Sequence, residues 1–187
     1  VTVSGLEHLK GCDACIVYAN HSSHFDIPAM CAVLPIPLYF IAKRELRRIP
    51  IFGWGMWAIG MIFVDRSDPE KARTSLAKAA KAIRRGKHVV TFPEGTRSVD
   101  GRLQAFKKGT FHLAKADAIP LVPVAIAGSN RVLPPGGKLN KGHIHVRVGE
   151  PIGSTLVASL SANELAAESH RRMASLLAEL EAERLAK

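Results

Sequence analysis

Asn20-His21-Ser22-Ser23-His24-Phe25-Asp26 sets an imidazole five residues ahead of a carboxylate. Such a pair can activate a hydroxyl. An alcohol is a poor nucleophile at neutral pH, and an imidazole, with an ordinary pKa of about 6.5, is a base close to the working pH. A carboxylate on its far nitrogen would hold the ring in one tautomer and stabilise the imidazolium as it forms. No covalent intermediate is required, because the substrate hydroxyl stands where a serine stands in a hydrolase triad.

Spacing alone does not select this pair, since His8/Asp13 and His112/Asp117 repeat it. Five residues along a straight helix is a rotation of about 140°, which points the two side chains apart. They meet only if the histidine precedes the helix and the aspartate sits in its first turn. His21 fits, lying between a strand at Cys15–Ala19 and a helical stretch near Ile27–Val33. His112/Asp117 falls inside an expected helix and reads as structural; His8/Asp13 lies in a glycine-containing surface turn.

A second cluster, Phe92-Pro-Glu-Gly-Thr-Arg-Ser98, follows another expected strand, at the kind of strand end where α/β sheets bind ligands. Gly95 lets the backbone approach a ligand closely, Glu94 can bind hydroxyls, and Arg97 can fork onto a phosphate. Gly60-Met-Ile-Phe-Val-Asp-Arg66 is a further strand ending in a cation, and Val122-Pro-Val-Ala-Ile126 is an apolar strand. Lys43-Arg-Glu-Leu46 and Lys107-Lys-Gly109 add cations after a strand and before a helix. Arg66 and Arg97 could also be ordinary ion-pair partners of Asp65 and Glu94.

The elements that would position these groups alternate between apolar runs and helical stretches, an α/β pattern. Strands are expected at Cys15–Ala19, Leu38–Ala42, Met61–Val64, His88–Phe92, Leu121–Ala127 and His143–Val148. Pro69–Arg85 reads as a helix with Asp68 as cap and Gly86 at its end. A last helix runs from Ser161 to the C-terminus behind a Ser161-Ala-Asn-Glu164 capping box, with an apolar stripe of Leu165, Met173, Leu176, Leu177 and Leu180. From Ile49 to Val64 about 16 residues are apolar or glycine, short of the roughly 20 that span a bilayer. This segment is either a buried helix feeding a strand or a membrane-contacting or acyl-chain-lining element with Trp54 and Trp57 at the interface.

The 187 residues fit one domain, 1–187, and 47% hydrophobic content marks it as globular. A formal charge of +10 points to an anionic partner: nucleic acid, an anionic membrane or an acidic carrier. Aromatic content of 6%, with no basic run interleaved with aromatics, argues against single-stranded nucleic acid. Three cysteines indicate a reducing compartment without a disulfide framework. Cys12-x-x-Cys15 followed by His21 and His24 is too tightly spaced for a zinc finger and would consume the base.

Taken together and in order, the four clusters between Tyr18 and Ile126 resemble the four motifs of the glycerol-phosphate and lysophosphatidic acid acyltransferase family. The resemblance implies His21 and Asp26 as catalytic residues, Arg66 and Arg97 as ligands of the substrate phosphate, and Glu94 and Gly95 as shapers of the acceptor site. Thr96, Lys43 and Lys107 join them as substrate-binding candidates, and the strand around Pro123 would support the acyl-donor side. The implied fold is α/β: a three-layer arrangement with a mixed, mostly parallel β-sheet and helices on both faces. The implied reaction moves a fatty acyl group from an acyl thioester, acyl-CoA or acyl-carrier protein, to the free hydroxyl of 1-acylglycerol 3-phosphate. No metal or cofactor is expected, and no nucleic acid. Another lysophospholipid acceptor, such as a lyso-ornithine lipid, would use the same chemistry. Thioester hydrolysis and a non-enzymatic anionic-lipid-binding module are the remaining alternatives. The expected location is peripheral, at the cytoplasmic face of an anionic membrane. Many family members carry an N-terminal membrane-associated helical element, which is expected to lie outside the sequence starting at Val1.

Overall fold

The computed structural model describes residues 1–48, 50, 52–58, 61–64 and 69–185. Seven strands form one sheet: β1 (Thr2–Ser4), β2 (Ile16–Ala19), β3 (Leu38–Lys43), β4 (Ile62–Val64), β5 (His88–Thr91), β6 (Leu121–Ala127) and β7 (His145–Val148). Their order across the sheet is β1-β7-β6-β2-β5-β3-β4. Every neighbouring pair is parallel except β6 with β7. The sheet is therefore mixed and mostly parallel, as expected. The C-terminal ends of β2, β5, β3, β4 and β6 share one edge.

The helices are α1 (Asp26–Val33), α2 (Phe52–Ala58), α3 (Pro69–Ile83), α4 (Gly109–Ala116), α5 (Ser129–Val132), α6 (Ser154–Ser159) and α7 (Ala162–Leu185). Short 3₁₀ turns lie at Leu6–Leu9 and Arg44–Arg48. Strands covered on both faces must be apolar throughout rather than alternating. All seven residues of β6 and all four of β2 and β5 are buried. Successive side chains then feed opposite cores. Ile16, Tyr18, Leu121 and Ala125 pack on one face with Ile83 of α3, Phe111 of α4 and Leu165 and Met173 of α7. Val17, Ala19, Val122 and Val124 pack on the other with Ala29 and Met30 of α1. Two helical layers enclose the sheet.

The start of α7 carries the reciprocal bonds of a capping box: the Ser161 N–H donates to Glu164 Oε2 at 2.8 Å, and the Glu164 N–H donates to Ser161 Oγ at 3.2 Å. Gly86 closes the α3 segment with φ +78°, a conformation that glycine adopts without strain. Asp68, the expected cap of α3, lies outside the described residues. Strand positions match expectation to within two residues. The three-residue edge strand β1 carries too little apolar pattern to read from sequence.

Candidate active site

The site starts from the end of β2. Asn20, buried, turns its side chain onto the neighbouring strand: Nδ2 donates to the Ile126 carbonyl at 2.9 Å, and the Ile126 N–H donates to Oδ1 at 2.8 Å. The carboxamide copies a peptide group and ties the last turn of chain to β6. His21 is thereby held just beyond the sheet edge. Ser22 Oγ bonds Ser129 Oγ at 3.0 Å, and the Ser23 hydroxyl donates to the Leu133 carbonyl at 2.7 Å. These contacts curl the chain so that Asp26, the first residue of α1, faces back to His21.

His21 Nδ1 lies 2.8 Å from Asp26 Oδ2. The same oxygen accepts the Ser22 and Ser23 N–H groups at 2.8 and 2.9 Å. Asp26 is fully buried, and its Oδ1 has no hydrogen-bond partner among the described residues. The carboxylate thus stands at a helix start and meets two peptide N–H groups. It accepts from Nδ1–H, which leaves the lone pair of the ring on Nε2. Nε2 has no hydrogen-bond partner among the described residues, and the His21 side chain is 18% exposed. Among the described residues nothing occupies the basic nitrogen, and the side chain keeps some contact with solvent.

The loop after β5 encloses part of His21. The Phe92 ring stacks on the imidazole, centroids 4.0 Å apart and planes 20° from parallel. Glu94 Oε1 accepts the His21 N–H at 2.7 Å, Oε2 accepts the Gln104 N–H at 2.9 Å, and the Ser98 N–H donates to the His21 carbonyl at 2.8 Å. His21 is thus fixed at both of its peptide groups, at Nδ1 and on a ring face. Burial pushes the Glu94 carboxyl above the usual carboxylate range, opposed by the two peptide N–H bonds.

Gly95 has φ +78°, the left-handed conformation that glycine adopts without strain, and the Lys107 side chain packs against it, with Nζ 2.8 Å from where a Cβ would stand. Thr96 is exposed and donates to Gln104 Oε1 at 3.4 Å. Arg97 is half-buried and makes no ion pair among the described residues. Partial burial, then the charge of Arg97 and then that of His21, lowers the pKa of His24. Lys43 is the last residue of β3, at the same sheet edge as His21; its side chain is outside the described part. Arg66 also lies outside the described residues; β4, two residues before it, ends at that edge.

The other two His/Asp spacings do not form pairs. His112 is inside α4, and Asp117 just beyond that helix bonds Arg84 instead; His8 belongs to the first 3₁₀ turn. Cys15 and His21 flank β2 at opposite ends, so the two cysteines and His21 cannot share a metal. The sequence reading gave no positional role to Asn20, Phe92, Ser129 or Gln104. An Asn between a strand and a histidine, and an aromatic at a strand end, are weak signals. Gln104 contributes its peptide N–H, which no sequence pattern encodes.

The family model described as Acyltransferase matches residues 1–127. The chain belongs to this family. The span includes His21, Asp26, the loop from Phe92 to Ser98 and all of β6. Among related acyltransferases, a chloroplastic 1-acyl-sn-glycerol-3-phosphate acyltransferase of Brassica napus is 37% identical over 80% of this chain and 44% of its own length. The 1-acyl-sn-glycerol-3-phosphate acyltransferase of Saccharomyces cerevisiae is 34% identical over 88% of this chain and 56% of its own. The chain spans about half the length of these relatives. The Escherichia coli 1-acyl-sn-glycerol-3-phosphate acyltransferase is 30% identical, with 90% of this chain and 69% of its own length covered. The crystal structure of the 1-acyl-sn-glycerophosphate acyltransferase of Thermotoga maritima superposes with a TM-score of 0.84 at 31% identity, covering 97% of this chain and 72% of that one.

Proposed function

We propose that this acyltransferase moves a fatty acyl group from an acyl thioester to the free hydroxyl of 1-acylglycerol 3-phosphate, giving phosphatidic acid. One observation carries the reading: His21 Nδ1 is 2.8 Å from a buried Asp26 while Nε2, on a part-exposed ring, has no hydrogen-bond partner among the described residues. The names of the related proteins support the acceptor.

In this mechanism Nε2 removes the hydroxyl proton as the acceptor oxygen attacks the thioester carbonyl. Asp26 stabilises the imidazolium. Collapse of the tetrahedral intermediate breaks the C–S bond, and the imidazolium returns its proton to the leaving thiolate, so that ester and thiol are the products. Arg97 and Arg66 bind the acceptor phosphate, with Lys43, Lys107 and Thr96 at its periphery. Glu94 and Gly95 shape the acceptor site, Glu94 by holding His21 and the loop in place. The donor is acyl-CoA or acyl-carrier protein. The acceptor is drawn from a membrane, and the chain works on it as a peripheral protein at the cytoplasmic face.

His21→Ala, assayed with both donors against 1-acylglycerol 3-phosphate and a panel of lyso-acceptors lacking the phosphate, tests this directly. Loss of the base removes about 10²–10⁴-fold of kcat, with the thermal unfolding midpoint close to that of the unaltered chain. Full turnover by the variant would end the proposal. Release of free fatty acid without acylated product would move the reading to thioester hydrolysis.

A further inference from the structure

Both tryptophans of the chain lie on α2, and both are largely in solvent: Trp54 is 67% exposed and Trp57 63%. Residues three apart share a helix face. Gly55 between them is exposed too, with open space where a side chain would be. Large aromatics belong among the buried residues of a soluble surface, so a pair facing water marks a contact site. The 3₁₀ turn just before α2, Arg44-Glu-Leu-Arg-Arg48, is basic, and Arg47 and Arg48 are exposed. That turn leaves β3 at Lys43, at the sheet edge where β2 delivers His21.

We propose that Trp54, Trp57, Arg47 and Arg48 form a surface that docks the chain onto an anionic lipid bilayer. Indole rings settle at the headgroup level of a bilayer, and cations beside them pair with anionic headgroups. Charge complementarity with a chain of formal charge +10 selects the anionic bilayer as occupant. Seven residues make α2 about 10 Å long, enough to lie in the interface and too short to cross it. No helix among the described residues is long and apolar enough to cross a membrane. The docking deepens the proposed function, on which its role in acceptor supply rests: it brings the part-exposed ring of His21 toward the lipid phase.

Because the chain has no other tryptophan, its intrinsic fluorescence reads the surface without a label. The unaltered chain is mixed with vesicles of phosphatidylcholine alone or with phosphatidylglycerol added, the acyl chains brominated at a shallow or a deep carbon. The anionic vesicles shift the emission to the blue, and shallow bromines quench it more than deep ones. In vesicle sedimentation, Trp54→Ala/Trp57→Ala and Arg47→Glu/Arg48→Glu each weaken binding at least about tenfold, with circular dichroism unchanged. The tryptophan double variant also loses acyl transfer to a vesicle-embedded acceptor and keeps it on a short-chain water-soluble one. An unshifted, unquenched spectrum overturns the proposal. So does a shift that depends on protein concentration without vesicles, which would mean a second copy covers α2, or one produced by a soluble acidic protein in their place. Binding is measured without turnover, so failure of the acyl-transfer reading leaves these outcomes intact, and the reverse.

Discussion

Glu94 accepts the peptide N–H of His21 at 2.7 Å although 73 positions separate the two residues. The contact joins the ends of β2 and β5, adjacent parallel strands with Val17 beside Val90 in register. The second oxygen of the same carboxylate holds Gln104, at the far end of the loop. One buried side chain thus fixes both the imidazole and the loop that carries Arg97.

Glu94→Gln should separate this positioning from the chemistry. A carboxamide offers one oxygen where the carboxylate offers two, so its NH₂ must face a peptide N–H. One buried amide is left unpaired, at about 1–3 kcal/mol of stability. Misplacement of His21 by about 1 Å costs kcat about 10²-fold. The pH dependence gives a second check. Burial raises the Glu94 pKa in the folded state, so the folded chain holds its proton more tightly than the unfolded one. The Glu94 contribution is therefore fully present below the unfolded carboxylate pKa and falls as pH rises through the folded one. Urea unfolding of Glu94→Gln across that window should lack this decline; an identical slope would show that the burial has no energetic consequence.

Asn20→Ala should act through structure. It removes both bonds to Ile126 and leaves a buried N–H and carbonyl at the end of β6 without partners. The expected loss is about 2–3 kcal/mol, or about 5–10 °C in melting temperature. Asn20→Asp should do no better, because a carboxylate oxygen would face the Ile126 carbonyl. A variant as stable as the unaltered chain would show that water replaces the carboxamide.

What the sequence revealed follows from where the information lies. β6 was legible because seven residues buried on both faces must be apolar, and that burial is written in composition. The His21/Asp26 pair was separable from its two look-alikes because strand-to-helix context is local. Strand order is not local: nothing in the sequence says that β2 lies between β5 and β6. The roles of Asn20 and Glu94 depend on that adjacency, since each bonds a backbone group on a neighbouring strand or loop. Glu94 therefore read as a ligand for hydroxyls, and its tie to the His21 backbone appeared only with the fold. The Ile49–Val64 segment was ambiguous because apolar length alone does not distinguish a core helix from an interfacial one; the exposure of Trp54 and Trp57 favours the second.

Glu168 on α7 should carry part of the acid sensitivity of the fold. Hydrogen bonds from Arg171 and then Arg172, at 2.8 and 2.7 Å, lower its carboxyl from an ordinary 4.5 to about 2. A carboxyl depressed in the folded state adds stability above its unfolded pKa, and that stability drains away as pH falls from about 4.5 toward 2. Both pairs are three or four residues apart on a solvated helix face, and the Arg171 side chain is 70% exposed. Solvent screening then limits the gain to at most about 1 kcal/mol. Glu168→Gln should be less stable than the unaltered chain by that amount at pH 7, and the two should converge as the pH approaches 2. The comparison is made by urea unfolding at successive pH values in low salt. A difference that persists unchanged at the acid end would mean that Glu168 contributes through packing rather than charge.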